Sequence, residues 1–331
     1  MADTTGIEWT DATLNIVTGC EKVSPGCDMC YAETFAERWR GIPGHHFENG
    51  FDVTLRPERL TLPFRWRKPK RVFVNSMSDL FHKDIPDDYI ARLWAVMALT
   101  PQHTYQILTK RHGRMRSLLS SSAFRTACEE AQASLVNDDA TPMPRYARES
   151  KSTQWWSDFA NPLPNVWLGV SVENQHWADL RIPALIDTPA AVRFLSCEPL
   201  LGPVDLAGPI VPGRGRPKLT YWLTGRPTPG PERITSTGLT MHSPAIVTGP
   251  RIDWVITGGE SGHGARPAHP DWFRTIRDQC TAAGVAYLHK QNGEWAERAA
   301  LTGDQRAEVS IWNEKRVTYV HPVDGRTQSH G

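Results

Sequence analysis

Three cysteines stand within eleven residues, Cys20, Cys27 and Cys30, in the pattern C-x6-C-x2-C with Tyr31 directly after the last. Thiolate is a soft ligand. Three in one short loop can hold three irons of a [4Fe–4S] cube and leave the fourth iron open to a chelating molecule. Gly19 and Gly26 let the backbone fold tightly round such a group. The alternative is structural zinc, which takes four closed ligands, with His45 or His46 some way downstream as the fourth. Cys128, Cys197 and Cys280 are scattered singly and read as small buried hydrophobes. Such asymmetric usage in a long chain does not suggest a disulfide framework.

A second set of reactive groups lies where strand-like runs end. β-branched or aromatic runs occur at Leu14–Thr18, Val72–Asn75, Tyr105–Thr109, Val166–Val172, Val192–Ser196, Trp254–Thr257 and Ala286–Leu288. The first runs into Gly19 and Cys20, the second into Ser76, Ser78 and Asp79, and the third into Lys110 and Arg111. The fourth ends at Glu173 and Asn174, the fifth at Glu198, the sixth at Gly258, Gly259 and Glu260, and the seventh at His289, Lys290 and Gln291. In parallel α/β folds these ends face one crevice, and catalytic groups come from several strands.

The elements that position these groups alternate along the chain. Helical patterns lie at Cys30–Trp39, Pro86–Leu99, Ala123–Leu135, Trp177–Ile186 and Asp271–Ala283, the last ending at Gly284. Strand–helix repetition predicts α/β architecture, a partial or closed parallel (β/α)6-7 TIM-like barrel. Two polar, Pro-bearing stretches, about 138–164 and 207–250, read as insertions. The second carries Arg214, Arg216 and Lys218 before the apolar run Leu219–Thr224. The barrel domain is therefore expected over 1–295 and a C-terminal extension over 296–331, with a strand near Val317–Pro322.

The chain has 331 residues, 40% hydrophobic and 22% charged, with 13 Trp and a formal net charge of +1. That describes a globule with a sizeable core and excludes a globally basic nucleic-acid coat. No run of 18 apolar residues would span a membrane, and the N-terminus lacks a secretory pattern, so a cytoplasmic location is expected.

A first strand, a three-cysteine loop with an aromatic after the last Cys, and further strand–helix units together resemble the radical S-adenosylmethionine (SAM) superfamily. Its usual spacing is C-x3-C-x2-C, whereas the first gap here is six. More closely, the chain looks like a phage- and prophage-associated family carrying a three-cysteine motif. The matching segments are GIEWTDATLNIVTGCEKVSPGCDMCYAE, VFVNSMSDLFH, YQILTKR, VWLGVSVEN, RFLSCEPLLGPV, DWVITGGESG-x-GARPAHPDW and HKQNGEW.

The resemblance implies that Cys20, Cys27 and Cys30 ligate a [4Fe–4S] cluster whose open iron takes the amino and carboxylate groups of SAM. Ser76, Ser78 and Asp79 would meet the SAM amino group, and Glu173 with Asn174 would suit the ribose hydroxyls. Glu198, Glu260, Lys110 and Lys290 would bind substrate, relay protons or pair with one another. The reaction implied is reductive SAM cleavage, followed by hydrogen abstraction by a 5′-deoxyadenosyl radical. It calls for a reductant protein such as a flavodoxin or ferredoxin, with host cytoplasm as the setting if the chain is phage-encoded. Phage association makes a nucleotide or nucleic-acid substrate the leading expectation. The alternative is a zinc-stabilised nucleic-acid-binding or host-interaction protein without turnover.

The segment from Arg56 through Arg59 and Arg65 to Arg71 is basic and reads first as a solvated approach to the second strand; the alternative is that interleaved Phe64 and Trp66 stack bases. Thr109, Lys110, Arg111 and His112 could also contact phosphate. His103, His263, His269 and His289 are scattered and read as structural or surface groups. Of these, His263 lies in the Gly-rich stretch Gly258–Gly264, which could cradle an anion.

Overall fold

Alternation of side chains decides which way each strand faces. In Thr104–Thr109, Tyr105 and Ile107 join the large core shared with the helices, while Leu108 packs on the opposite face. The computed structural model describes residues 5–143, 162–207, 221–225, 249–262 and 264–297, with strand pieces at 227–228, 232–234, 240–242, 246–247, 317–320 and 327–330.

Seven strands form one parallel sheet in chain order. They are β1 (Ala12–Leu14), β2 (Arg71–Val74), β3 (Thr104–Thr109), β4 (Val166–Ser171), β5 (Val192–Cys197), β6 (Trp254–Gly258) and β7 (Ala286–Gln291). β1 and β7 are its edges, and among the described residues no ladder joins them. The sheet is a curled half-barrel, not a closed barrel.

Among the described residues the α-helices are α1 (Tyr31–Glu37), α2 (Asp87–Ala98), α3 (His112–Leu119), α4 (Ser122–Asn137), α5 (Gln175–Ile186) and α6 (Pro270–Ala283). Their ends follow local chemistry. Ser121 and Asn174 accept from the Phe124 and Trp177 amides as N-caps, and Gly284 closes α6 in the left-handed region at φ 66°.

Two elements differ from the sequence expectation. The first strand is centred earlier, because the chain leaves the sheet at Asn15. The Ile16 amide donates to Asn75 Oδ1 (3.1 Å), and Val17–Thr18 pairs antiparallel with Thr54–Leu55. α3 was not anticipated, since its apolar stripe is short: only Met115 and Leu118 are buried.

The inner face of the half-barrel changes character along its height. At its base Trp9 packs edge-on to Phe73 (4.7 Å) and Trp254 (5.9 Å), with Phe194 and Ile256 in the same cluster. Each such burial is worth about 1.5–3 kcal/mol. Two residues further along three of these strands the same face turns polar. Phe73 is followed by Asn75, Phe194 by Ser196 and Leu288 by Lys290. The period of two thus seats polar groups on an apolar floor at the C-terminal ends.

The first half of the 207–250 insertion lies mostly outside the described residues, including Arg214, Arg216 and Lys218; His263 does too, as does most of 138–164. The described part of the second half forms two small antiparallel pairs. Ala296–Glu297, Val317–Val320 and Thr327–His330 make a separate three-stranded antiparallel sheet. No described helix is long and apolar enough to cross a membrane.

Candidate functional site

A cavity of about 680 Å³ opens at the C-terminal ends of the strands. Cys20, Cys27 and Cys30 line one side of it, all half-buried and all free thiols. Their loop is tied down from four directions. Gly19 donates to the Met77 carbonyl (3.0 Å) and forms a bridge with Ser78. Its φ of +88° and its approach to Asp52, whose carbonyl oxygen a Cβ would meet at 2.3 Å, require glycine there. Arg111 donates to the Glu21 carbonyl (3.1 Å) and to Cys20 Sγ (3.8 Å). Arg266 donates to the Pro25 carbonyl (2.8 Å) and pairs with Asp28 (3.1 Å).

The fourth tie comes from below. Ser24 donates to Glu173 Oε1 (2.6 Å), and Gly26 lies so close that a Cβ would meet Glu173 Cγ at 2.6 Å. Arg181 takes the other oxygen of Glu173 at 2.7 Å, and neither side chain is exposed. Arg181 also stacks on Trp177 at 4.1 Å. Glu173 therefore sits under the cysteine loop with both oxygens engaged, and it does not face the cavity. Asn174 caps α5. Glu173 and Asn174, both expected at the ribose hydroxyls, are engaged within the fold, and neither lines the cavity.

Burial, followed by the charge of Asp79, pushes the Cys20 thiol up, and the Arg111 hydrogen bond opposes both. Cationic donors around sulfur favour the thiolate that a metal needs. The other three cysteines lie buried in the core, where burial raises their thiols and keeps them unreactive.

The remaining expected site residues reach the cavity with different degrees of freedom. Asp79 is committed: it accepts from Thr109 Oγ1 (2.7 Å), from the Phe81 amide (3.0 Å) and from the Lys110 amide (2.9 Å). Ser78 donates to the Val17 carbonyl and Ser76 to Asn15 Oδ1, while the Ser76 carbonyl accepts from Tyr31. Glu260 is held by three hydrogen bonds from Arg266, so its carboxylate acts as an anchor for the loop. Lys290 meets Glu198 at 3.1 Å, and Ser196 donates to the second Glu198 oxygen. Lys110 reaches Ser171 Oγ (3.2 Å) and comes within 3.9 Å of Glu173. Lys110, Glu198 and Lys290 are thus the charged groups that the half-barrel presents to the cavity while remaining partly exposed.

Sequence reasoning missed Arg181 and Arg266 altogether. Arg181 had a signal, since it interrupts the buried stripe Ala178, Ile182 and Leu185 of α5. A charge on that stripe demands a buried partner. The basic approach to β2 is corrected. Phe64 and Trp66 are buried in the core and cannot stack bases, Arg71 pairs with Asp11, and Arg56 bonds Thr18 and the His46 carbonyl. His45 stacks on Trp39 at 4.3 Å and joins no cysteine. Among the described residues the one group of three His, Cys, Asp or Glu ligand atoms within 4.8 Å of one another is Glu21, His82 and Asp84, so the three sulfurs do not form such a group.

The fold and site thus define an α/β half-barrel with a three-thiol loop over its polar end. Over residues 4–327 the chain matches the family described as Protein of unknown function (DUF5131), and it belongs to that family. No curated protein and no solved structure matches it.

Proposed function

We propose that the protein is a radical SAM-type enzyme in which Cys20, Cys27 and Cys30 hold a [4Fe–4S] cluster and the cavity takes SAM beside a nucleotide or nucleic-acid-related substrate. The observation that carries this reading is the convergence of three free thiols and the polar strand ends on one cavity. The donor set fits the cluster better than zinc. Tetrahedral zinc with bonds of about 2.3 Å draws its sulfurs to about 3.8 Å apart. A four-iron cube holds each thiolate on a separate iron and needs a wider spread, in keeping with three sulfurs that form no tight group.

When bound, the cluster supplies one electron for reductive opening of a carbon–sulfur bond of SAM. The chain itself does the rest. Arg111 and the buried Glu173–Arg181 pair fix the loop that presents the thiols. Lys110 and Lys290 offer ammonium groups to a phosphate or carboxylate, and Glu198 holds the Lys290 ammonium in place. Tyr31, Phe35, Phe47 and Phe51 line the mouth, where they limit water and offer flat surfaces to a base. A reductant protein such as a flavodoxin or ferredoxin completes the cycle.

Anaerobic reconstitution with iron and sulfide, followed by EPR of the reduced protein, tests the reading. A cluster signal that changes on adding SAM and is lost in Cys27→Ala is expected. Colourless protein that keeps one tightly held zinc would reject it in favour of a zinc-stabilised protein without turnover.

A further inference from the structure

Beside the cysteine loop, and outside the cavity, His82 is fully buried yet its Nε2 has no hydrogen-bond partner. A buried, unsatisfied ring nitrogen carries a cost of about 1–3 kcal/mol unless something meets it. Glu21 on the loop brings its Oε2 to 3.5 Å from Nε2. That is long for a hydrogen bond. It matches the separation of about 3.4 Å that two ligand atoms adopt on one ion with tetrahedral bonds of about 2.1 Å. On the ring's other side Asp84 Oδ2 lies 3.6 Å from Nδ1. The three ligand atoms fall within 4.8 Å of one another.

We propose that Glu21 and His82 bind one divalent cation of the Mn²⁺ or Zn²⁺ class, with Asp84 orienting the His82 ring. The backbone supports the ring in place. The Asp79 carbonyl accepts from the His82 amide at 3.0 Å, and Arg114 donates to the carbonyls of His82 and Ile85. In the cation-free chain the Asp84 amide donates to Nδ1 (3.2 Å), which places the proton of the neutral ring on Nε2. On binding, that proton moves to Nδ1, the Asp84 amide gives up its bond to the ring to water, the Asp84 carboxylate accepts from Nδ1 instead, and the Nε2 lone pair goes to the ion. Histidine ligands commonly give their second nitrogen's proton to a carboxylate in this way. Lys83 Nζ lies 3.1 Å from the same Glu21 oxygen and competes for it, but Lys83 is exposed and free to swing away. The Arg111 guanidinium bonds the Glu21 carbonyl and not its carboxylate, so it leaves the ligand oxygens open. The site does not depend on the cluster reading.

Titration of the full-length chain with Mn²⁺, followed by loss of the free-ion EPR signal, tests it, because Mn²⁺ prefers oxygen and nitrogen to thiolate. One ion per chain is expected in the parent and in Cys27→Ala. Glu21→Gln should lower the affinity at least tenfold and Asp84→Asn about 10–100-fold, while Lys83→Met should tighten it. Both carboxylates are more than half exposed, so these variants keep the fold, whereas His82→Gln would alter a fully buried position. Absence of bound Mn²⁺, unchanged binding in Glu21→Gln, or loss confined to Cys27→Ala would overturn the proposal. A failure to take up iron would leave this titration untouched.

Discussion

Glu173→Gln removes one charge from beneath the cysteine loop and almost nothing else. The native carboxylate accepts from Ser24 at 2.6 Å and from Arg181 at 2.7 Å, and both members of the ion pair are wholly buried. Breaking such a pair from one side costs about 3–5 kcal/mol, because the surviving charge stays buried. Arg181 has little to fall back on, since its Nε and Nη2 already lack partners. Glutamine keeps one acceptor oxygen, so the lower end, about 3 kcal/mol, is expected. At about 2–4 °C per kcal/mol that lowers Tm by about 6–12 °C. Thermal unfolding followed by circular dichroism measures it. Iron uptake should fall in parallel, because Ser24 lies three residues before Cys27. The double change Glu173→Leu with Arg181→Met should recover most of the loss, as apolar replacements of a whole buried pair do. A Tm within about 2 °C of the parent, with weaker SAM binding alone, would refute this reasoning and return Glu173 to a ligand-contacting role.

Gly26→Ala would drive a Cβ to 2.6 Å from Glu173, so it should cost about 1–3 kcal/mol and reduce iron incorporation, read by melting and iron assay. Arg266→Met leaves Glu260 buried without its partner and unties Pro25 and Asp28; cluster yield should drop while the far-UV spectrum holds. Lys290→Met should weaken binding of a nucleotide probe about tenfold, the scale of one lost charge-assisted hydrogen bond, with Tm changed by only a few degrees. Burial, with Arg56 and Arg59, lowers the His46 pKa from 6.5 to about 4. The unfolded chain therefore takes up a proton near pH 6.5 that the folded chain refuses until about pH 4. Stability should decline as pH falls through that window, and His46→Gln should flatten the slope.

The strand–helix alternation, the glycine that ends α6 and the cysteine loop were legible because they are local, whereas the Asn174 cap of α5 was not read as one. Gly284 after α6 acts through bonds to near neighbours, and hydrophobic periodicity marks five of the seven sheet strands within two residues of their bounds, the first and the last being the exceptions. The meeting of strand ends on one cavity followed from parallel order, which the repeated units implied. What a given strand-end charge does was not legible. Glu173, Glu198 and Glu260 look alike along the chain, yet one is sealed beneath a loop, one faces a lysine across the cavity and one anchors an arginine. Ser24, which seals Glu173, lies 149 residues from it, and the arginine beside Glu260 reaches on to Pro25 across 241 residues. Only packing places them. The local pattern sets where an ionisable group stands on its strand, but the low-dielectric surroundings and opposite charges that commit it to structure or leave it free for chemistry are assembled by the tertiary fold.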